Sequence, residues 1–250
     1  MTGLAGAFAS GGRGREPVTG LTKKRQTFLN DLKQDASLFV WGTDPEEPTR
    51  TIVQTLDKAT PQTPIKPMPM WPYLPFALAS FWNTFKKARP QLPGMRAVDK
   101  PRQLMMSWLA LMFCEWVCLS MPYSRCLLNK ATQDEAAFML EDRLVNVVHR
   151  HYPDWFREWA GPKWSATDET IEYLNGSSFA ATGANVEERA ARGEQATVFF
   201  VDEAARHPRL REVHAAIYPM TQMILFVSTP EAGSPGSAFY AEILGRRDSE

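Results

Sequence analysis

The stretch 197–203, TVFFVDE, decides the fold of this chain. Its apolar residues follow one another without alternation, which is typical of a strand buried on both faces of a parallel sheet. Two adjacent carboxylates, Asp202 and Glu203, come at the carboxyl end of that strand, where open α/β sheets bind their ligands. The first is suited to hold Mg²⁺ and the second to activate a water for attack on a phosphoryl group, as in a Walker B motif. The alternative is a buried strand that meets solvent in two acidic residues.

A second stretch of the same kind, MILFVSTP at 223–230, ends in Ser228, Thr229 and Pro230. Hydroxyls at the same sheet edge could sense a γ-phosphate, and the proline could redirect the loop when that phosphate leaves. Serine, threonine and proline are also ordinary turn residues, so a capped turn is the alternative. The order of the two stretches along the chain favours the first interpretation, in which 228–230 is a coupling motif.

A phosphate-binding loop is expected before the first long helix of this region, and the stretch 100–107, KPRQLMMS, matches that motif in part. Its last residue, Ser107, supplies the hydroxyl that would contact Mg²⁺. Met105 and Met106 stand where glycine and lysine are usual. Backbone amides at a strand-to-helix turn can still cradle phosphate, so the stretch is predicted to bind nucleotide. A basic turn before a core helix is the alternative.

Several basic residues could supply the charge that Met106 does not. Lys100 opens the loop and Arg102 lies within it. Arg192, ahead of the Walker B strand, is a possible arginine sensor, because arginine stabilises transition-state charge; a solvated loop is the alternative. The glycine-rich stretch 10–15, SGGRGR, has neither a Lys-Ser/Thr pair nor a preceding strand and is rejected.

Apolar runs alternate with helical patterns from residue 95 onward. Strands are predicted at 95–98, 124–128, 196–201 and 223–227, helices at 107–119, 132–152, 207–218 and 236–244, and a hairpin at 170–181 around Asn175-Gly176. Doubly buried strands separated by helices indicate a mostly parallel sheet covered by helices on both faces. The predicted fold class is therefore α/β.

Composition sets the remaining bounds. The chain has 250 residues and equal numbers of basic and acidic residues, 28 of each, so no overall basic field would attract nucleic acid. Residues 1–20 are predicted to be disordered, 21–94 to be a helical, proline-rich strap, and 95–250 to be the core. No regular element is expected within the proline-dense stretch 61–75.

One segment, 104–121, approaches the length of a membrane span, but Glu115 lies near its middle. A glutamate is expensive in lipid, so we expect a buried helix of a soluble core. With three cysteines and no signal-peptide pattern, a reducing, cytoplasmic setting is expected. His149 and His151 are interpreted as charges at the end of a helix rather than as ligands.

Taken in order and spacing, five stretches resemble the ATPase domain of tailed-phage terminase large subunits, the motors that package DNA. They are KPRQLMMSW, LLNKATQDEAAFMLEDRL, TIEYLNGSSFAATGA, AARGEQATVFFVDEAA and ILFVSTPEAGSPGSAFY, and together they span roughly residues 95–244. The resemblance implies a P-loop NTPase of the RecA-like (ASCE) type. In this ATPase Asp202 would coordinate Mg²⁺, Glu203 would be the catalytic base and 228–230 would couple hydrolysis to movement. Ser107 would be the Walker A hydroxyl on Mg²⁺, and Arg102 and Gln103 would be the family's Arg-Gln pair.

Two departures from the family stand out. Met105 and Met106 replace glycine and lysine, although some members carry the lysine at the loop's start, where Lys100 stands. The family's adenine-contacting glutamine is replaced by an aromatic, proline-rich stretch at 71–75, which is either a stacking surface for a base or part of the core.

The resemblance further implies ATP and Mg²⁺ as ligands and double-stranded DNA, a terminase small subunit and a portal protein as partners. It also implies a ring of identical subunits on the procapsid in the host cytoplasm, without a membrane. A C-terminal nuclease is not expected in this chain, which alone should bind DNA weakly. The alternatives are a degenerate P-loop assembly module without turnover, and a helicase-like ATPase, for which the chain after residue 244 is short.

Overall fold

The computed structural model describes residues 20–56, 64–88, 92–100, 105–183, 186 and 195–245. Within them, seven strands form a single sheet in the order β3-β9-β8-β4-β7-β6-β5, beside a separate two-stranded ladder of β1 and β2. The strands are β1 Gln54–Leu56, β2 Ile65–Pro67, β3 Gly94–Asp99, β4 Arg125–Asn129, β5 Lys163–Ser165, β6 Thr170–Glu172, β7 Ser178–Thr182, β8 Ala196–Asp202 and β9 Thr221–Ser228. The first five strands of the sheet run parallel, and β6 and β5 add an antiparallel edge. The predicted mainly parallel sheet is confirmed.

Helices cover this sheet. They are α1 Lys23–Leu32, α2 Ala36–Trp41, α3 Tyr73–Lys87, α4 Met106–Ser120, α5 Gln133–Met139, α6 Asp154–Ala160, α7 Leu210–Ile217 and α8 Ser237–Ile243, with a π-helix at Leu140–His149. Short 3₁₀ turns follow β8 at Ala204–Arg206 and α7 at Tyr218–Met220.

The period-two alternation of strand residues assigns the two faces of the sheet. In β8, Val198 and Phe200 belong to a large buried cluster that contains α4, whereas Phe199 and Val201 belong to a second cluster that contains α7. All four side chains are fully buried. Both faces are therefore covered, which explains why the strand is apolar throughout, and the fold is consistent with a P-loop NTPase.

Two predictions about local structure are wrong. The proline-dense stretch does contain a regular element, because Ile65–Pro67 pairs antiparallel with Gln54–Leu56. The ladder ends at Pro67, a terminal position at which a missing N–H is tolerated. The predicted helix 132–152 is α-helical only to Met139 and continues as a 10-residue π-helix. Hydrophobic periodicity cannot separate these two helical types.

The interpretation of His149 as a terminal helix charge is also wrong. His149 is buried, with Nε2 2.8 Å from Oε1 of Glu115 in α4. The hydroxyl groups of Tyr152 and Tyr173 also donate to Glu115, which is itself fully buried. The glutamate in the apolar helix is thus satisfied by three polar partners, as a buried carboxylate requires.

Among the described residues, none of the helices has the length and apolar character needed to cross a membrane. The residues of α1, α2 and α3 share one buried cluster with α4 and one face of the sheet. Asp44, just after α2, accepts a hydrogen bond from Trp155 Nε1 at 2.6 Å and thereby joins the N-terminal region to α6. The predicted division at residue 94 stays a prediction, and the predicted disordered segment lies almost wholly outside the described residues.

Candidate active site

The carboxyl ends of four neighbouring parallel strands bring the predicted residues to one edge of the sheet. Asp99 ends β3, Ser228 ends β9, Asp202 ends β8 and Asn129 ends β4. Lys100 continues the ladder beyond β3, since its backbone N–H donates to the Ser228 carbonyl at 2.8 Å. The stretches 100–107, 202–203 and 228–230 therefore all begin at this edge, where β3, β8 and β9 end.

Four side chains at this edge are linked by direct contacts. Ser107, in the first turn of α4, donates from Oγ to Asp202 Oδ1 at 2.6 Å. Lys100 Nζ donates to Ser107 Oγ at 2.8 Å and to Glu203 Oε1 at 3.0 Å. The same ammonium lies 4.0 Å from Asp202 Oδ1. Residues from 100, 107 and 202–203 thus form one cluster, although the chain separates them by as many as 103 positions.

The sequence reasoning missed two cations of this cluster. Lys130, directly after β4, donates from Nζ to Asp202 Oδ2 at 3.1 Å. Arg143, on the π-helix, places its guanidinium carbon 5.3 Å from the centre of the Trp108 ring, next to Ser107. A lysine two residues after the apolar run 126–128 could have indicated Lys130 at the sheet edge. Nothing in the sequence separates Arg143 from a solvated helix charge.

The position of Lys130 is fixed through its backbone. The ring of His207 accepts at Nδ1 from the backbone N–H of Arg209, at 3.2 Å, so its Nε2 is the nitrogen that donates to the Lys130 carbonyl at 3.2 Å. Burial lowers the pKa of His207, despite the opposing hydrogen bond to Lys130, and favours the neutral ring that this arrangement needs. The turn after β8 thereby holds the end of β4.

Asp202 is ionised in this environment. Burial alone would raise the pKa of the carboxyl, but the charges of Lys130 and Lys100, the Ser107 hydrogen bond and the charge of Arg143 outweigh it and hold the pKa below its ordinary value. The residue is only 4% exposed. A buried carboxylate with a lowered pKa keeps its charge at neutral pH and is available to a cation.

Glu203 leaves the strand in an uncommon conformation. Its backbone is left-handed, with φ 54° and ψ 43°, a region that non-glycine residues rarely adopt. This turns the side chain back toward Lys100, while its Oε2 is buried without a hydrogen-bond partner among the described residues. Backbone strain of this kind persists where surrounding contacts enforce it, as they do at functional sites.

Met105 has a backbone conformation that glycine adopts more easily than other residues. It caps α4 with φ 55° and ψ 7°, in the left-handed region where glycine costs least. Met106 follows as the first helical residue and is buried at 4% exposure. The turn into α4 therefore keeps a glycine-type geometry although its two usual residues are methionines.

A pair of truncations tests this backbone. Met105→Ala and Met105→Gly remove the same apolar contacts, and glycine is ordinarily the less stable of the two. At a left-handed position the order reverses, so we expect Met105→Gly to have the higher free energy of unfolding, by about 1 kcal/mol. Urea unfolding of both variants measures the difference; a more stable alanine variant would rule out the left-handed turn.

The Ser228 side chain contacts the turn after β8, while the Ser228 carbonyl accepts from the backbone of Lys100. Ser228 is fully buried, and its Oγ accepts from the Ala205 N–H at 3.0 Å. Farther along the loop, the Gly236 N–H donates to the Ala205 carbonyl at 3.0 Å, and Arg206 pairs with Glu231. Thr229 is partly exposed and Pro230 is exposed. The loop after β9 is thus attached to the residues that directly follow Glu203.

The other predicted residues have mixed outcomes. Arg102, Gln103 and Arg192 lie outside the described residues. In the aromatic stretch 71–75, Trp71 is 39% exposed and lies against Tyr73, with ring centres 5.9 Å apart. Tyr73 is only partly buried against the core, so both interpretations of that stretch remain open.

The donors at this edge fit Mg²⁺. Asp202 and Ser107 offer oxygen atoms already 2.6 Å apart, and Mg²⁺ prefers oxygen ligands from one or two protein side chains together with phosphates and water. No group of three or more His, Cys, Asp or Glu side chains in the described part of the chain could hold a metal by itself. Any Mg²⁺ here would therefore need substrate or water ligands as well.

Comparisons with known proteins found similarities among solved structures. No family model matches the chain, and no curated protein matches it. Among solved structures, it is similar to the large terminase ATPase domain of Thermus phage P74-26, with a TM-score of 0.43 and 16% identity over 67% of this chain and 71% of that one. A point mutant of the same domain gives the same TM-score and identity over 65% and 72%.

Proposed function

We propose that this chain binds Mg²⁺·ATP at the carboxyl edge of its sheet and hydrolyses it. The observation that carries the proposal is the cluster of Lys100, Ser107, Asp202 and Glu203, which joins a loop lysine, a helix-start hydroxyl and two adjacent carboxylates by contacts of 2.6–3.0 Å. Phosphoryl transfer needs positioning and electrostatic stabilisation more than covalent chemistry, and these groups supply both.

The residues of this cluster have separate roles in hydrolysis. Asp202 and Ser107 hold Mg²⁺, which when bound neutralises charge on the phosphate oxygens. Glu203 accepts a proton from water while the water oxygen bonds to the terminal phosphorus. The bond from that phosphorus to the bridging oxygen breaks, and its electron pair leaves with ADP.

Lys100 has to change partners in this scheme. In the structure its ammonium bonds to Ser107 and Glu203, so the carboxylate proposed as the base is already paired. A phosphate oxygen is a competing acceptor for the same ammonium, and a charge-assisted bond to it would release Glu203. The proposal thus links substrate binding to freeing of the catalytic carboxylate.

The loop lysine provides the test of nucleotide binding. We expect Lys100→Met, which keeps the aliphatic stem, to weaken binding of Mg²⁺·ATP at least about tenfold, the effect of losing one charge-assisted bond. Calorimetric titration measures this, with Lys87→Met on the exposed end of α3 as control. Arg102→Met in the same assay shows whether the second loop cation contributes. Unchanged affinity in both loop variants would refute nucleotide binding by this loop.

The role beyond hydrolysis rests on the five stretches that resemble terminase large subunits. We propose that hydrolysis drives double-stranded DNA into a procapsid, with the 228–230 loop passing the phosphate state on through Ala205 and the Arg206–Glu231 pair. A ring of subunits, the terminase small subunit, the portal protein and a site of action in the host cytoplasm belong to the same proposal. DNA-stimulated turnover in the presence of procapsids would support it, and turnover indifferent to both would count against it.

A further inference from the structure

Among the cations of the described site, Arg143 is the one that makes no ion pair or hydrogen bond with Asp202 or Glu203, although the charges of both carboxylates act on it. Its guanidinium lies over Trp108, 5.3 Å from the ring centre, and Trp108 directly follows the Ser107 that bonds Asp202. The charge of Arg143 helps to lower the pKa of Asp202. The arginine therefore lies within electrostatic range of the Walker B carboxylates.

One hydrogen-bond donor of the Arg143 guanidinium is unpaired within the described part of the chain. Its Nη1 is buried without a hydrogen-bond partner among the described residues. An unsatisfied buried donor costs about 1–3 kcal/mol, so such groups are uncommon and point to a ligand or a functional role. Lys100 and Lys130, by contrast, already donate to oxygen atoms of the cluster.

The charges around Arg143 include a carboxylate of its own helix as well as those of the site. Asp142, Asp202 and Glu203 all act on its guanidinium, while Lys100 and Lys130 are paired with Glu203 and Asp202. A nucleoside triphosphate brings more negative charge than one Mg²⁺ neutralises. The planar fork of the Arg143 guanidinium suits phosphate oxygens.

From this placement we infer that Arg143 donates from Nη1 to the terminal phosphate of bound nucleoside triphosphate and stabilises the charge that develops on it during transfer. The inference rests on the proposed function and adds an arginine supplied by the same chain. Trp108 holds the guanidinium by its ring face, so the side chain is in place before substrate arrives. The π-helix Leu140–His149 carries the residue, and such segments are frequent at functional sites.

Terminal-phosphate recognition predicts a selective defect. We expect Arg143→Met, which keeps the stem over Trp108, to lower kcat about 10²–10³-fold, as loss of one transition-state donor does. It should also weaken binding of a non-hydrolysable ATP analogue while leaving ADP affinity unchanged. Arg143→Lys should restore part of kcat, because it keeps the charge and loses the fork. Arg150→Met, at the exposed end of the same helix, is the matched control and should behave as wild type.

Each other outcome overturns a specific claim. Equal weakening of ADP and ATP-analogue binding would reduce Arg143 to a structural residue. So would a failure of Arg143→Lys to restore kcat, if its melting temperature is lowered as well. If the wild-type chain hydrolyses ATP and Arg143→Met has the same kcat and affinities, this inference alone is overturned. A wild-type chain that binds neither nucleotide would overturn the proposed function and this inference together.

Discussion

Glu203→Gln should abolish ATP turnover and leave nucleotide binding intact. The amide keeps the size of the side chain and an oxygen for the Lys100 ammonium, which lies 3.0 Å from the carboxylate, but it cannot take a proton from water. We expect kcat to fall by at least about 10²-fold, the usual contribution of a general base. Affinity for Mg²⁺·ATP should stay level or rise, because the neutral amide competes less well for Lys100.

The control for this variant is Glu212→Gln on α7, whose carboxylate is exposed. Phosphate release and equilibrium binding are measured for both proteins in parallel. A Glu203→Gln protein that hydrolyses ATP at the parental rate would remove Glu203 from the mechanism. A protein that loses binding as well would show that the carboxylate acts in holding the nucleotide.

Asp202→Asn should have the second large effect, on both metal use and stability. The carboxylate accepts from Ser107 and Lys130 and lies near Lys100, so its loss leaves the two lysines with Glu203 as the remaining acidic residue of the cluster. Breaking a buried ion pair by removing one partner costs about 3 kcal/mol or more. We expect a loss of about 3 kcal/mol in unfolding free energy and the loss of Mg²⁺-dependent nucleotide binding.

The pH dependence of stability separates the charge of Asp202 from its shape. Its lowered pKa in the folded state means that its contribution is fully present above the ordinary pKa of aspartate, about 3.9, and is lost as pH falls through the folded value. The destabilisation by Asp202→Asn should therefore be constant from neutral pH to about pH 5 and shrink in stronger acid. Asp154→Asn, at an exposed carboxylate on α6, should show no such trend. A pH-independent difference would contradict an ionised Asp202.

The sheet and its motif-bearing edge could be predicted because continuous apolar runs leave few alternatives. Residues 196–201 and 223–227 are too apolar to face water on either side, and parallel strands bring their carboxyl ends together. Asp202 and Ser228, at the carboxyl ends of these two strands, are therefore predicted to lie at one edge. The apolar runs could not give the contacts of Lys100 with Ser107 and Glu203, which depend on side-chain reach across the edge.

The missed features depend on tertiary packing. In the sequence, Arg143 and His149 look like ordinary charges on a helix. In the fold, Arg143 lies over the Trp108 ring and His149 contacts Glu115 of α4. The left-handed backbone of Met105 could not be predicted either, because methionine rarely adopts this conformation and glycine commonly does. Local propensity yields to such enforced geometry at sites.

Release of inorganic phosphate from ATP by the wild-type chain, with and without Mg²⁺ and double-stranded DNA, tests whether this chain hydrolyses ATP at the sheet edge. We expect turnover that requires Mg²⁺ and that falls to the level of the Glu203→Gln protein when the metal is removed. A wild-type chain that binds ATP yet releases no more phosphate than Glu203→Gln under every condition would contradict it. Such a chain would be a P-loop module that assembles without turning over.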